Sequence, residues 1–282
     1  MAEINAALVK ELREKTGAGM MECKNALVET AGDLAAAEKL LKEKGLAALA
    51  KRSDRATNAG RVFIGRNAAG SAVTLVEITC ETDFVSRNPD FIAMGEELAG
   101  KALESGADAS DPGLNGMVAE LATKIRENMA LKRLVTVKAG SGECLASYLH
   151  GEGEIGVAVR CAVDKPADEG TKAFVHSLAL HVAAFNPLAP DRSKIDAGYL
   201  AEQREIFAKQ MEQDEKLAGK PENVLKGILE GKVNKHLAEI CLLDQGYVKD
   251  EKRTVAQALA DESKRSGAKL GIVEYVYFKV GT

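Results

Sequence analysis

The sequence predicts an α+β protein: a helical head, then two related subdomains, each an antiparallel three-stranded sheet covered by helices. Three observations carry this. Residues 4–45 place their apolar side chains at helical spacing. From Arg61 the pattern becomes strand-like and is punctuated by glycine turns, which marks hairpins. The order strand, strand, helix, strand then occurs twice, over 61–140 and over 141–282, and the second copy carries a long charged insertion.

In the head (1–46), Ile4, Leu8, Val9 and Leu12 stripe a first helix that Gly17 and Gly19 end. Met20, Met21, Cys23, Ala26, Leu27 and Val28 form a second, broken at Ala31 and Gly32. Asp33 suits the N-cap of a third over 34–44, which Gly45 closes. A bundle this small has a thin core and is better suited to holding an apolar patch on a partner than to housing chemistry. Residues 47–60 are small and basic without an apolar period and read as a linker.

The first subdomain (61–140) begins with a hairpin, 62–66 and 71–80, turned at Asn67 to Gly70. Thr82, Asp83, Phe84 and Val85 make an acidic-aromatic tip directly after its second strand. Helices over 89–103 and 117–128 follow, with a polar break at 105–116, and then a strand over 131–139. The second subdomain (141–195 and 235–282) repeats this with strands 143–150 and 155–163, a helix over 167–185 and a closing strand over 271–280. Cys80 and Cys161 fall at corresponding strand ends. In the insertion (196–234), Tyr199, Leu200, Phe207, Met211 and Leu217 line one helix, and Val224, Leu225, Ile228 and Leu229 start a returning one. Their antiparallel pairing predicts a coiled-coil hairpin, and the spacing leaves equally open whether it projects from the body or packs along its own subdomain.

Composition narrows the function. A net charge of −4, only 4% aromatic residues and no Trp argue against a nucleic-acid binder, which usually shows a basic face and stacking rings. Five scattered cysteines without a CxxC pattern fit a reducing compartment. The chain opens Met-Ala-Glu-Ile-Asn straight into a helix without a signal-peptide pattern. No stretch nears the ~18 apolar residues of a membrane span. A cytoplasmic protein without membrane contact is expected.

Tests for chemistry find little. Gly151, Gly153 and Gly156 fit GxGxxG, yet a strand follows where pyrophosphate needs a helix N-terminus, and Glu152 and Glu154 would repel phosphate. No P-loop pattern occurs. His176 and His181 stand roughly 140° apart around a helix, which does not suit a shared metal. Neither Cys80 nor His181 has a base or orienting carboxylate nearby in sequence, so an enzyme reading is weak. No cofactor, metal or catalytic residue is expected; the chain reads as a binding protein. On pattern alone, Phe84 and Val85 read first as folding back into the core, and His181 as a satisfied core histidine; only resemblance argues otherwise.

Resemblance adds to this reading. The segment Leu12-Arg13-Glu14-Lys15-Thr16-Gly17-Ala18-Gly19-Met20-Met21-Glu22-Cys23-Lys24-Asn25-Ala26-Leu27 resembles the ubiquitin-associated-like head of the elongation factor Ts family. Thr82-Asp83-Phe84-Val85 looks like that family's TDFV signature, and His181-Val182-Ala183-Ala184-Phe185-Asn186-Pro187 is similar to its HxAAxxP segment. The resemblance, with the order of elements, spans essentially the whole chain. It implies a guanine-nucleotide exchange factor that binds elongation factor Tu in GDP-bound and nucleotide-free forms, without covalent chemistry. It further implies that Thr82, Asp83, Phe84 and Val85 insert beside the partner's switch helices and dislodge its Mg²⁺, with Phe84 as wedge and His181 as a second contact. The coiled-coil hairpin accompanies dimers in some members, so a homodimer or 2:2 complex stays open. Longer members continue into a helical module beyond the last strand, and whether this chain makes a contact of that kind stays open. The rival reading is an adaptor that holds a partner through its head and leaves nucleotide alone.

Overall fold

The computed structural model describes residues 5–217 and 219–282. Ile4, the first residue of the expected stripe, lies outside them.

The head is a three-helix bundle of α1 (Ala6–Thr16), α2 (Met20–Glu29) and α3 (Leu34–Ala50). Asn5 and Asp33 cap α1 and α3 by accepting the amides of Leu8 and Ala36. Val9, Leu12, Cys23, Ala26, Leu27 and Ala37 form the small core. The third helix runs six residues past Lys44, where a close at Gly45 was expected. Gly45 has a packing role: a Cβ there would stand 2.1 Å from Thr123 Cγ2. Glycine costs an interior helix position about 1 kcal/mol relative to alanine, and here it admits the helix that carries Thr123. The linker therefore shrinks to residues 51–58.

The first subdomain comprises β1 (Ala59–Arg66), β2 (Ala72–Cys80), α4 (Asp83–Ser86), α5 (Pro89–Ser105), α6 (Pro112–Ile125) and β3 (Met129–Lys138). Its sheet has the antiparallel order β1-β2-β3. The helix α6 starts five residues before the expected Met117, because Asp111 caps it by accepting the Leu114 amide at 2.9 Å and Pro112 fits its first turn. The second subdomain comprises β4 (Glu143–His150), β5 (Ile155–Val163), α7 (Glu169–Phe185), α8 (Ala197–Glu212), α9 (Glu222–Ile240), β6 (Gly246–Tyr247), β7 (Asp250–Thr254), α10 (Val255–Ser266) and β8 (Leu270–Lys279). Its main sheet is β4-β5-β8, with β6 and β7 as a separate two-stranded hairpin.

The two three-stranded sheets pack face to face with helices outside. Val76, Ile78 and Leu131 face Phe91, Leu98 and Val118 on one side, while Val157, Val159 and Cys161 face Val175, Leu178 and Val182 on the other. Between the sheets Val62, Val73, Leu75 and Val137 meet Ala158 and Phe278. Strand β2 is therefore buried at every position. Gly156 permits the approach, since a Cβ there would stand 2.4 Å from Val62 Cγ1. Fully buried Glu77 is paired with Arg133 and accepts the Gly281 amide at 3.2 Å. The Arg133 guanidinium lies 4.3 Å over the Phe278 ring.

Both sheets bulge at matching places, after Glu77 in β2 and after Arg160 in β5. Their cross-strand partners carry inverted charges, Glu77 opposite Arg133 and Arg160 opposite Glu274. This register corrects the expected correspondence of Cys80 with Cys161 by two residues: Cys161 matches Ile78, and Cys80 matches Val163.

Helices α8 and α9 form an antiparallel hairpin, with Tyr199 Oη 2.8 Å from His236 Nε2 and Arg204 Nη1 2.6 Å from Glu230 Oε1. Leu200, Phe207, Leu229, Val233 and Leu237 pack inside it. It extends past the expected 196–234, because α9 continues to Ile240. Among the described residues no helix is long and apolar enough to cross a membrane.

Candidate partner-binding tip

Strand β2 delivers the chain to Glu81 and Thr82, and the structure then divides the predicted quartet. Thr82 keeps extended backbone (φ −126°, ψ 156°) and caps the single turn α4, its Oγ1 lying 3.4 Å from the Val85 amide. The Thr82 amide and hydroxyl both donate to the Glu127 carboxylate, at 3.1 and 2.8 Å, and the Cys80 thiol donates to the Thr82 carbonyl at 3.2 Å. Val85 enters the first subdomain's core, and Ser86 is buried with its Oγ donating to the Asp83 carbonyl at 2.9 Å. Arg61 Nε donates to the Ser86 carbonyl at 2.5 Å. With Thr82 tied to Glu127 before it and Val85 and Ser86 buried after it, one helical turn leaves Phe84 pointing out: it is 84% exposed, the most exposed large apolar side chain among the described residues. Asp83 is exposed beside it, 3.7 Å from Arg87. The outward face of the tip is thus Phe84 with Asp83, while Thr82 and Val85 hold it from below.

The surroundings are shaped by both subdomains. Arg61 and Arg87 approach Glu152 in the β4–β5 turn at 3.2 and 3.9 Å, and the Val62 amide donates to the Gly153 carbonyl at 2.8 Å. The GxGxxG-like run is indeed this turn. Among the described residues the second subdomain has no equivalent tip, because β5 leads through 164–168 into α7, whose Asp168 cap accepts the Thr171 amide.

His181 lies wholly inside the protein. The Val248 amide donates to its Nδ1 at 3.1 Å, which places the ring proton on Nε2, donating to Gln245 Oε1 at 3.0 Å. Burial pushes its pKa below the ordinary histidine value, so it stays neutral. What reaches the surface is the next turn: Phe185, stacked on His181 at 4.6 Å and 44% exposed, and Leu188, 59% exposed. The structure therefore does not bring the His181 ring and the tip together as one exposed face. Met20 and Met21 on the head form a second exposed apolar pair.

Sequence reasoning missed Glu127, Gln245 and the Phe185–Leu188 exposure. Only the αL-capping of Asn186 before Pro187 hinted at the last. The Cys80 thiol is pushed up to about 12 by burial and by the Glu127 carboxylate, so it remains protonated and serves as a donor. No group of three or more His, Cys, Asp or Glu side chains is placed to hold a metal among the described residues.

An aromatic held out from a rigid, hydrogen-bonded turn, on a scaffold with further exposed apolar points, defines a protein–protein contact module. The family model described as Elongation factor TS matches residues 81–282. Elongation factor Ts of Treponema denticola is 45% identical over 282 residues, covering 99% of both chains. That of Treponema pallidum is 43% identical over 291 residues, and that of Borrelia duttonii 44% over 277, covering 97% of this chain and 98% of its own. The chain belongs to the elongation factor Ts family and has that family's role as a translation elongation factor.

Proposed function

We propose that the protein binds elongation factor Tu carrying GDP, dislodges the Mg²⁺ of that partner and speeds exchange of GDP for GTP. The observation that supports this most is the 84% exposure of Phe84 on a turn fixed at both ends. An isolated globular protein gains nothing from displaying a phenylalanine this way. Buried in a partner, it would contribute roughly 1.5–3 kcal/mol, the scale of an interface anchor. Asp83 beside it supplies the polar contact that biases a switch helix, while Thr82 and Val85 fix the direction of insertion. Loss of Mg²⁺ removes charge that bridges phosphate to protein, so GDP is held less tightly. No bond is made or broken, and the coupling is reciprocal: the factor lost in GDP affinity is the factor by which GDP weakens this protein's own binding.

His181 serves the same contact indirectly in this reading, by seating Phe185 for a second touch on the partner's nucleotide domain. The head acts as a ubiquitin-associated-like docking unit through Met20 and Met21. The helical hairpin acts as a coiled-coil arm for association, including a homodimer or a 2:2 complex with nucleotide-free partner. A reducing cytoplasm accommodates the five free, buried cysteines. An adaptor would need the head alone and has no use for the tip. Release of a fluorescent GDP analogue from elongation factor Tu tests the reading: wild type should accelerate it, Phe84→Ala should not, and binding without acceleration would leave the adaptor.

A further inference from the structure

The corner between α6 and β3 draws together three parts of the chain that are far apart in sequence. Arg126 ends α6 in the left-handed region (φ +70°), a conformation uncommon outside glycine, and its side chain is ion-paired with Glu22 of the head. Glu22 in turn accepts the Gly19 amide at 2.9 Å and so starts α2. The next residue, Glu127, accepts both the amide and the hydroxyl of Thr82. Asn128 then donates from Nδ2 to the carbonyls of Ser53 and Arg55 in the linker, at 3.1 and 2.8 Å, and from its amide to Glu81 at 2.6 Å. Three successive residues thus hold the head, the tip and the linker.

Resting on the exchange reading above, we propose that Glu127 is the positioning residue of the tip. Its two hydrogen bonds fix Thr82 as the cap of α4, and with it the direction in which Phe84 leaves the surface. A carboxylate is the side chain suited to this, because it accepts two donors at once and binds them more strongly than a neutral group. Thr82 keeps its oxygen free to receive the Val85 amide only because its hydroxyl proton is committed to Glu127. Without Glu127 the amide and hydroxyl of Thr82 lose their acceptor, the cap becomes one of several rotamers, and Phe84 samples directions that do not fit the partner. Because Glu127 sits between residues tied to the head and the linker, the tip keeps one setting relative to the head that docks with it.

The test compares Glu127→Ala and Glu127→Gln with wild type in two measurements. In the first, GDP release from elongation factor Tu is titrated with each protein. Glu127→Ala should lower the maximal release rate about tenfold, as for loss of one charged hydrogen bond, with any rise in the half-saturating concentration smaller than that, because the docking surfaces elsewhere still hold the complex. Glu127→Gln, which still accepts through one oxygen, should recover most of the rate. In the second, amide hydrogen exchange is read in the free protein: Thr82 and Val85 should lose about tenfold of protection in Glu127→Ala, with amides of α7 unchanged. The proposal is overturned if Thr82 is equally protected in both proteins, if protection falls throughout the chain, or if only the half-saturating concentration moves. If wild type fails to speed release, the exchange reading fails, and the hydrogen-exchange measurement still decides whether Glu127 positions the tip.

Discussion

Phe84 and Val85 are neighbours in sequence with opposite environments, and truncating each to alanine separates the tip's contact from its support. Val85 is 6% exposed within the first subdomain's core, in the cluster that also holds Phe91. Its truncation removes two buried methyl groups, worth about 0.8 kcal/mol each by transfer, and leaves a small cavity, for a total of about 1.5–2.5 kcal/mol. Phe84 is 84% exposed, so its truncation should stay within about 0.5 kcal/mol of wild type. Urea denaturation followed by circular dichroism reads the midpoint, and unchanged slopes would show that the shift is one of stability. Val85→Ala should lower the midpoint clearly and Phe84→Ala hardly at all. In the exchange assay the order should invert, with Phe84→Ala the worse protein. A Phe84→Ala midpoint as low as that of Val85→Ala would mean that Phe84 packs in the free protein, and the outward tip would be refuted.

Two further outcomes follow from the buried polar groups. Glu77→Ala removes the acceptor of Arg133 Nε and of the Gly281 amide and should cost about 1–3 kcal/mol, since Arg133 stays partly exposed and still donates to the Lys279 carbonyl. Replacing Glu77 and Arg133 together by leucine should restore much of it. A Glu77→Ala protein as stable as wild type to urea would deny the pair its place in the sandwich. His181 has its pKa lowered by burial, so the unfolded chain takes up a proton before the folded one does. Its contribution is complete above the ordinary value of about 6.5 and is lost as pH falls through the lower folded value. Between pH 7.5 and 5.5 the wild-type urea midpoint should therefore fall more than that of His181→Gln; parallel falls would contradict the buried, neutral ring.

Much of the architecture was legible because hairpins announce themselves locally. Strands β4 and β5 fall on their expected residues, since the 151–154 glycines leave few alternatives for the turn. Gly45 misled because a glycine that ends a helix and one that admits a neighbour look alike in sequence; only the position of Thr123 distinguishes them. The early part of α6 contains Gly113 and Gly116 and reads as loop, although Asp111 and Pro112 carried the start signal. The small hairpin β6–β7 and α10 went unread, the strands being short and charged and the helix marked mainly by the Thr254 and Gln257 capping box.

The candidate site was legible only in outline. A strand running into Thr82, Asp83, Phe84 and Val85 marks the place, but whether Phe84 or Val85 turns inward depends on the Glu127 and Arg61 bonds to either side. Glu127 lies 45 residues away in sequence, and nothing local connects it to Thr82. The burial of His181 follows likewise from Gln245 and Val248, which arrive from beyond the helical hairpin.

The most direct measurement is the rate at which a fluorescent GDP analogue leaves elongation factor Tu at fixed Mg²⁺, with no addition, with this protein and with its Phe84→Ala variant. The account predicts rapid release with the wild type and a rate at least about tenfold slower with folded Phe84→Ala, as expected when a buried aromatic anchor is removed. Equal acceleration by the two proteins would show that exchange does not run through the tip.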